Sequence, residues 1–307
     1  MTTFLEYARI LGLTLVLSLS GGCQGREGPD AKPGSSDKPR GAPLWPDYAL
    51  PARVSLCGQP LDLTRRGVFE RLEFEFLTAV NHPGQVALWR RRAQEFFPAI
   101  EAGLKAAGLP DDIKYLAVAE SDLRPWIVSP AGALGLWQFM PATARRYGLT
   151  VKEGLDHRRS PEFLFGAAAA YLKTLHALFG DWPLALAAYN AGEGRLKKAL
   201  AEQGVGSYWD LDLPRETERY VYRIAAIKIV LENAAVYGLP GPSSGFGYAS
   251  SPTTRLTVTA PPGSGWPELA RLAGCDYKTL RLLNPHILAA SFSGPLELMV
   301  PEGALRK

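Results

Sequence analysis

Glu120 holds the position in this sequence best suited to proton-transfer chemistry. It lies in the run Asp111-Asp-Ile-Lys-Tyr-Leu-Ala-Val-Ala-Glu-Ser121, where Ile113, Leu116 and Ala117 fall at i, i+3 and i+4 of a helix. Glu120 takes i+7 on the same face. A carboxylate that continues an apolar stripe near a helix C-terminus is disfavoured by desolvation and by the helix dipole. Its pKa rises, and an acid that keeps its proton near neutrality suits general acid catalysis. Periodicity alone also admits a plainer reading, in which the stripe ends at Ala117 and Glu120 is solvated or ion-paired, as most helical glutamates are.

Other chemistries find little material. His82, His157, His176 and His286 are scattered, without HExxH or Cys-x-x-Cys spacing, so no metal site and no cofactor are expected. There is no GxxxxGK[ST] loop for phosphate and no GxSxG for a nucleophilic serine. Glu193 is a second acidic candidate, but its flanking Gly192 and Gly194 place it on a turn, in solvent. Tyr189, Tyr220 and Trp137, taken singly, read as core aromatics.

The neighbourhood of Glu120 sharpens this picture. The run AVAESDLRPWIVSPAGALGLWQFMPATARRYGL, residues 117–149, resembles the signature of family-1 lytic transglycosylases, most closely the membrane-bound type D group. In that family the Glu of the Glu-Ser pair is the catalytic acid and base, which maps onto Glu120 with Ser121 beside it. The family's Gly-Leu-x-Gln motif is matched by Gly135-Leu136-Trp137-Gln138, whose Gln lines the glycan groove. Its Ala-Tyr-Asn motif is matched by Ala188-Tyr189-Asn190 within ALAAYNAGEGRL, and its late Glu-Thr-x-x-Tyr element by LPRETERYV at 213–221, which brings Tyr220 toward the site. Asp156-His-Arg-Arg-Ser-Pro161 is similar to a lesser segment between these motifs.

The resemblance thus implies a lysozyme-like helical domain that cleaves peptidoglycan glycan strands non-hydrolytically. Glu120 would be catalytic, and Ser121, Gln138, Tyr189, Asn190 and Tyr220 would bind substrate; Trp137 stays with the core. Two alternatives remain open: a goose-lysozyme-like hydrolase on the same fold, and a non-catalytic wall-binding protein.

The elements that must position these residues read as mainly α. Val68, Leu72, Phe76 and Val80 recur at helical spacing, and residues 81–84 supply a break. A second helix carries Phe96, Phe97, Ile100 and Leu104 and should close at Gly108 in a left-handed conformation. Further helices are expected at 110–121, 141–147, 162–179, 183–190, 194–202 and 216–236. Pro110, Pro141 and Pro183 stand near their starts, where a missing N–H is harmless. No strand alternation is visible before residue 250.

Beyond a Gly/Pro/Ser-rich linker at 241–252 the texture changes. Leu256-Thr-Val-Thr259, helices near 266–272 and 277–283, and a strand near 296–300 spell a small β-α-α-β unit over 253–303. It resembles LysM, a glycan-binding module, in LRLLNPHI (280–287) and LELMVPEG. The family's Gly-Asp-Thr after the first strand is replaced here by Pro261-Pro-Gly-Ser-Gly265, so glycan binding does not follow from the resemblance.

The N-terminus bears on location. Ile10 to Leu19 is an apolar run too short to span a bilayer, and it follows a polar start with Arg9. Ser20-Gly21-Gly22-Cys23 resembles the lipobox of bacterial lipoproteins, with Ser20 where the motif prefers Leu. That implies a signal peptide over 1–23, lipidation of Cys23 and a membrane anchor. Gln24 after Cys23 resembles outer-membrane sorting, hence a place in the cell envelope on the periplasmic side. Residues 24–46, rich in Gly, Pro, Ser and charge, read as a flexible tether. The helical region is then 47–240, its core 110–240.

A composition 47% hydrophobic suits a packed core. The net charge of +4 suits an anionic polymer no better than it suits an ordinary soluble protein, and without Lys/Arg runs nucleic acid is not an expected partner. If Cys23 carries lipid, Cys57 and Cys275 remain, and unpaired thiols are the simpler expectation for residues in different domains. Oligomeric state is not legible.

Overall fold

The computed structural model describes residues 48–239, 241 and 252–304. The expected signal peptide, Cys23, the tether and nearly all of the 241–252 linker lie outside them. A two-residue hairpin, β1 (Ser55–Leu56) and β2 (Gln59–Pro60), precedes helices α1 (Arg66–Val80), α2 (Pro83–Ala107) and α3 (Lys114–Ser121), the last entered through a 3-10 turn at Asp111–Ile113. Then follow α4 (Pro141–Arg146), a second hairpin of β3 (Val151–Lys152) and β4 (Leu155–Asp156), and a 3-10 turn at His157–Arg159. The helices α5 (Pro161–Phe179), α6 (Trp182–Ala191), α7 (Glu193–Gln203) and α8 (Arg215–Glu232) complete the helical part.

The central element is α8. Val221, Ile224, Ala225, Ala226, Ile227 and Val230 are all essentially inaccessible, so it is apolar on most of its circumference, as a helix surrounded by others must be. It packs against α1, α3 and α6. Leu72 and Phe76 of α1 and Leu116 and Ala117 of α3 are fully buried in the same cluster. The expected stops hold: Gly108 adopts φ 65°, and the N–H groups of Gly108 and Leu109 bond Lys105 O and Leu104 O. Asp181 caps α6 by accepting from Leu184 N at 2.8 Å.

Two short hairpins interrupt the mainly α region before residue 250, where no strand alternation is visible in the sequence. Strands of two residues carry no alternation to read, and they are held by their turns, with Cys57 (φ 51°) and Gly58 (φ 79°) closing the first.

The C-terminal module has the expected order. Strand β5 (Thr253–Ser264) pairs antiparallel with β6 (Phe292–Pro301), with α9 (Trp266–Ala273) and α10 (Tyr277–Leu283) between them. β5 is longer than expected: it continues past a register shift between Ala260 and Ser264 that absorbs Pro261 and Pro262, which cannot donate to a ladder. Leu269, Ala273, Leu280, Leu298 and Val300 form a second small core.

The two cores meet at the β3–β4 hairpin. Leu155 packs against the second core and forms a bridge to Ile287, and the His157 and His286 rings meet edge to face at 5.9 Å. Cys57 is buried, Cys275 half-exposed, and they are unbonded.

Candidate active site

Glu120 sits one residue from the end of α3, half-buried, and its carboxyl accepts a hydrogen bond from Tyr220 Oη of α8. Two forces oppose one another there. Burial pushes the acid up, while the Tyr220 hydroxyl and the Arg223 charge pull it down and Glu216 pushes it up again; it settles at about 7. Desolvation is the largest cause of the rise, in the direction that the apolar stripe implies.

After Ser121 the backbone takes two consecutive left-handed residues, Asp122 (φ 54°) and Leu123 (φ 56°), a conformation costly for a side chain as bulky as leucine. It is held from several sides. Asp122 Oδ1 accepts from Trp89 Nε1 at 2.8 Å, and its carbonyl accepts from Arg92 Nη1 at 2.9 Å. Leu123 is fully buried. This sharp reversal starts a loop over 124–139 that folds back on α3.

Within that loop Leu134 and Phe139 exchange both backbone hydrogen bonds at 3.1 Å, and Gly135 N donates to Ile127 O at 3.2 Å. Gly135 has φ 88°, and a Cβ there would lie 2.2 Å from Arg158 O, so no other residue fits. Gln138 is itself left-handed (φ 47°) and spends its amide N–H groups on Ile127 O (3.1 Å) and Gly135 O (2.9 Å). Its Oε1 is therefore the atom with which it can serve a ligand.

Residues 97–211 match the family model of the transglycosylase SLT domain. The chain carries an SLT domain. Over 218 residues it is 33% identical to the membrane-bound lytic murein transglycosylase D of Escherichia coli strain K12, an alignment covering 69% of this chain and 47% of that protein. The chain thus spans about half the length of this curated relative. It is 44% identical over 88 residues to the peptidoglycan transglycosylase gp16 of Escherichia phage T7, covering 28% of this chain and 7% of that protein. The crystal structure of the 70 kDa soluble lytic transglycosylase of Escherichia coli aligns with a TM-score of 0.39 at 25% identity, over 46% of this chain and 24% of that one.

The remaining residues expected at the site of the SLT domain take distinct places. Tyr189, half-buried at the end of α6, donates from Oη to Trp137 O at 2.6 Å, tying α6 to the loop that carries Gln138. Behind it Phe139, Tyr147 and Tyr171 form an aromatic cluster with ring separations of 5.0–6.3 Å. The charge of Glu120 contributes, after burial, to holding the Tyr189 and Tyr220 hydroxyls well above their usual range, so both stay protonated donors. Asn190 Oδ1 accepts from Thr217 Oγ1 at 2.9 Å, which joins α6 to α8. Trp137 is 1% exposed and belongs to the core as expected.

Two expected roles change. Ser121 is 2% exposed, and its Oγ lies 3.0 Å from Ala117 O and 2.9 Å from Leu136 O. It fastens α3 to the loop and has no face for substrate. Tyr220, 6% exposed, binds the acid itself. Glu193 also departs from expectation: it opens α7, pairs with Arg146 at 2.8 Å and is held below the usual carboxylate range by that bond.

Sequence reasoning missed Thr217 as the partner of Asn190. The available signal was its i, i+3 spacing to Tyr220 on the buried face of α8.

The raised pKa of Glu120 has a consequence for stability. The native state holds the proton between the ordinary carboxylate pKa and about 7, where the unfolded chain has lost it, so stability declines as pH rises through that window. Glu120→Gln removes the decline. In urea denaturation the variant should match the wild type near pH 4.5 and exceed it above pH 7, by at most about 3 kcal/mol. A constant difference across that range would contradict the protonated carboxyl.

Proposed function

We propose that this protein is a peptidoglycan lytic transglycosylase that cleaves the MurNAc–GlcNAc β-1,4 bond and leaves 1,6-anhydro-MurNAc ends. The observation that carries this reading is Glu120, a carboxyl with a pKa of about 7 bonded by Tyr220 inside the SLT domain. In the first step Glu120 gives its proton to the glycosidic oxygen as the C1–O bond breaks. The oxocarbenium-like centre is stabilised by the N-acetyl group of the substrate. The Glu120 carboxylate, still accepting from Tyr220 Oη, then removes the proton of the MurNAc C6 hydroxyl as O6 bonds to C1. One carboxyl serves both steps because the nucleophile belongs to the substrate and no water needs activating.

Glycosidases that use water commonly require a second carboxylate. Glu193 is engaged by Arg146, and Glu216, whose charge Glu120 senses, is exposed in the first turn of α8. This arrangement favours the anhydro product. Gln138 Oε1 is the proposed acceptor for a glycan N–H or O–H, with Tyr189 and Asn190 shaping the groove beside it. On its β-α-α-β order we read the C-terminal module as LysM-like.

Mass spectrometry of products from purified peptidoglycan tests the reaction. The wild type should release anhydromuropeptides, and Glu120→Gln should lose at least about a thousandfold in turnover while keeping its fold. Reducing ends in their place would make water the acceptor.

The pH profile tests the acid. kcat/KM should fall above pH 7 as Glu120 loses its proton, and Tyr220→Phe, which removes a bond that lowers the acid, should move this alkaline limb upward. An unmoved limb would detach Tyr220 from the acid's titration.

We also propose that Cys23 is lipidated and holds the enzyme at the periplasmic face of the outer membrane. Radiolabelled palmitate should enter the wild type and not Cys23→Ala; equal labelling would overturn the anchor.

A further inference from the structure

A buried ion pair that the proposed chemistry does not use lies behind the groove loop. Asp156, at the end of β4, and Arg158, in the turn that follows, are 7% and 8% exposed. Arg158 Nε donates to Asp156 Oδ1 at 3.0 Å and Nη2 to Oδ2 at 2.8 Å, a two-point grip. Its Nη1 donates onward to Gly132 O at 2.9 Å and Phe139 O at 3.0 Å. Those two carbonyls bracket the segment that holds Gly135, Trp137 and Gln138.

On the other side, Asp156 is gripped by the C-terminal module. Its N–H donates to His286 O at 2.8 Å, and Leu288 N and Ala289 N both donate to Gly154 O at 2.9 and 3.1 Å. Beside this joint Arg255 of β5 pairs with Glu162 at 2.6 Å in the first turn of α5.

We propose that Arg158 is a positioning residue for the groove loop and that the C-terminal module holds it in place through the β3–β4 hairpin. The connection runs from His286, Leu288 and Ala289 to Gly154 and Asp156, from Asp156 to Arg158, and from Arg158 to the carbonyls on either side of Gln138. Three ties of the groove depend on the same short segment: Leu136 O receives Ser121, Trp137 O receives Tyr189, and Gln138 holds its left-handed backbone there. The module is on this view a working part of the catalytic unit. Arginine is required because its planar fork reaches the carboxylate and both carbonyls at once, which a lysine ammonium cannot do.

The catalytic arm of the test rests on the glycan-cleaving reading above; the exchange arm does not. In the full-length chain, Arg158→Met, Arg158→Lys and Leu288→Pro are compared with wild type by hydrogen-exchange mass spectrometry and by kcat and KM on isolated glycan strands. Leu288 is exposed, so its substitution removes an N–H from the joint without emptying a core. Arg158→Met should speed exchange across 132–139 and lower kcat about tenfold or more, with Arg158→Lys between it and wild type.

Leu288→Pro should speed exchange over both 151–157 and 132–139 and lower kcat about threefold. Where Arg158→Met fails to fold, Leu288→Pro decides. Faster exchange at 151–157 with 132–139 and kcat unchanged would overturn the proposal, as would an Arg158→Met chain whose loop exchanges like wild type. A wild-type chain that releases no glycan product would end the cleavage reading, while the exchange pattern would still decide the brace.

Discussion

A carboxyl group keeps its proton near neutrality only where water is held away from it, and a hydroxyl that bonds it works in the opposite direction. Glu120 sits at the balance of these effects. Its partner Tyr220 lies 100 residues away in sequence, on a different helix. The balance therefore requires α3 and α8 to be fixed against each other within a fraction of an ångström. Burial of α8 on most of its circumference, between α1, α3 and α6, supplies that rigidity. The core is in this sense part of the acid's environment: loosening it would admit water and lower the pKa of Glu120.

The same need for fixed geometry accounts for the strained backbone around the acid. Asp122, Leu123 and Gln138 are non-glycine residues in left-handed conformations, and all three frame the loop that folds over α3. Such residues cost on the order of 1–3 kcal/mol each and persist only where their surroundings over-determine them. Here the surroundings are named: Trp89 and Arg92 on Asp122, a sealed pocket around Leu123, and two backbone carbonyls on the Gln138 amide. Strain held in this way keeps the Gln138 side chain in one place, and under the proposed function an Oε1 fixed in advance lowers the cost of binding glycan.

Much of this was legible in the sequence, and the parts that were not share a cause. The helical stripe Ile113, Leu116, Ala117, Glu120 follows from local periodicity, as does the stop at Gly108, because both depend on residues within a few turns of one another. The ordered motifs placed Gln138, Tyr189, Asn190 and Tyr220 in one neighbourhood without saying which atom meets which. The Glu-Ser pair of the resembling family implies a binding role for Ser121, yet helical rotation turns it inward to Leu136. Glu193 stays near solvent, as its flanking glycines imply, but it opens α7 and pairs with Arg146, which no local pattern announces. The His157–His286 contact and the bonds to Gly154 were invisible because they join segments more than 120 residues apart, and no periodicity encodes a contact of that range.

The buried Asp156–Arg158 pair poses a question that stability alone does not answer. Removing two charges from water costs several kcal/mol per ion, and apolar side chains of similar volume often stabilise a fold as well or better. What an apolar pair could not do is hold the carbonyls of Gly132 and Phe139, which need donors, or set the loop's register by a forked geometry that admits one arrangement. The pair stands where the loop must be held from beneath and where the hairpin is gripped by the module. Its position makes sense if the constraint being met is the orientation of the loop, with the desolvation cost offset by bonds that reach from the second core to the groove.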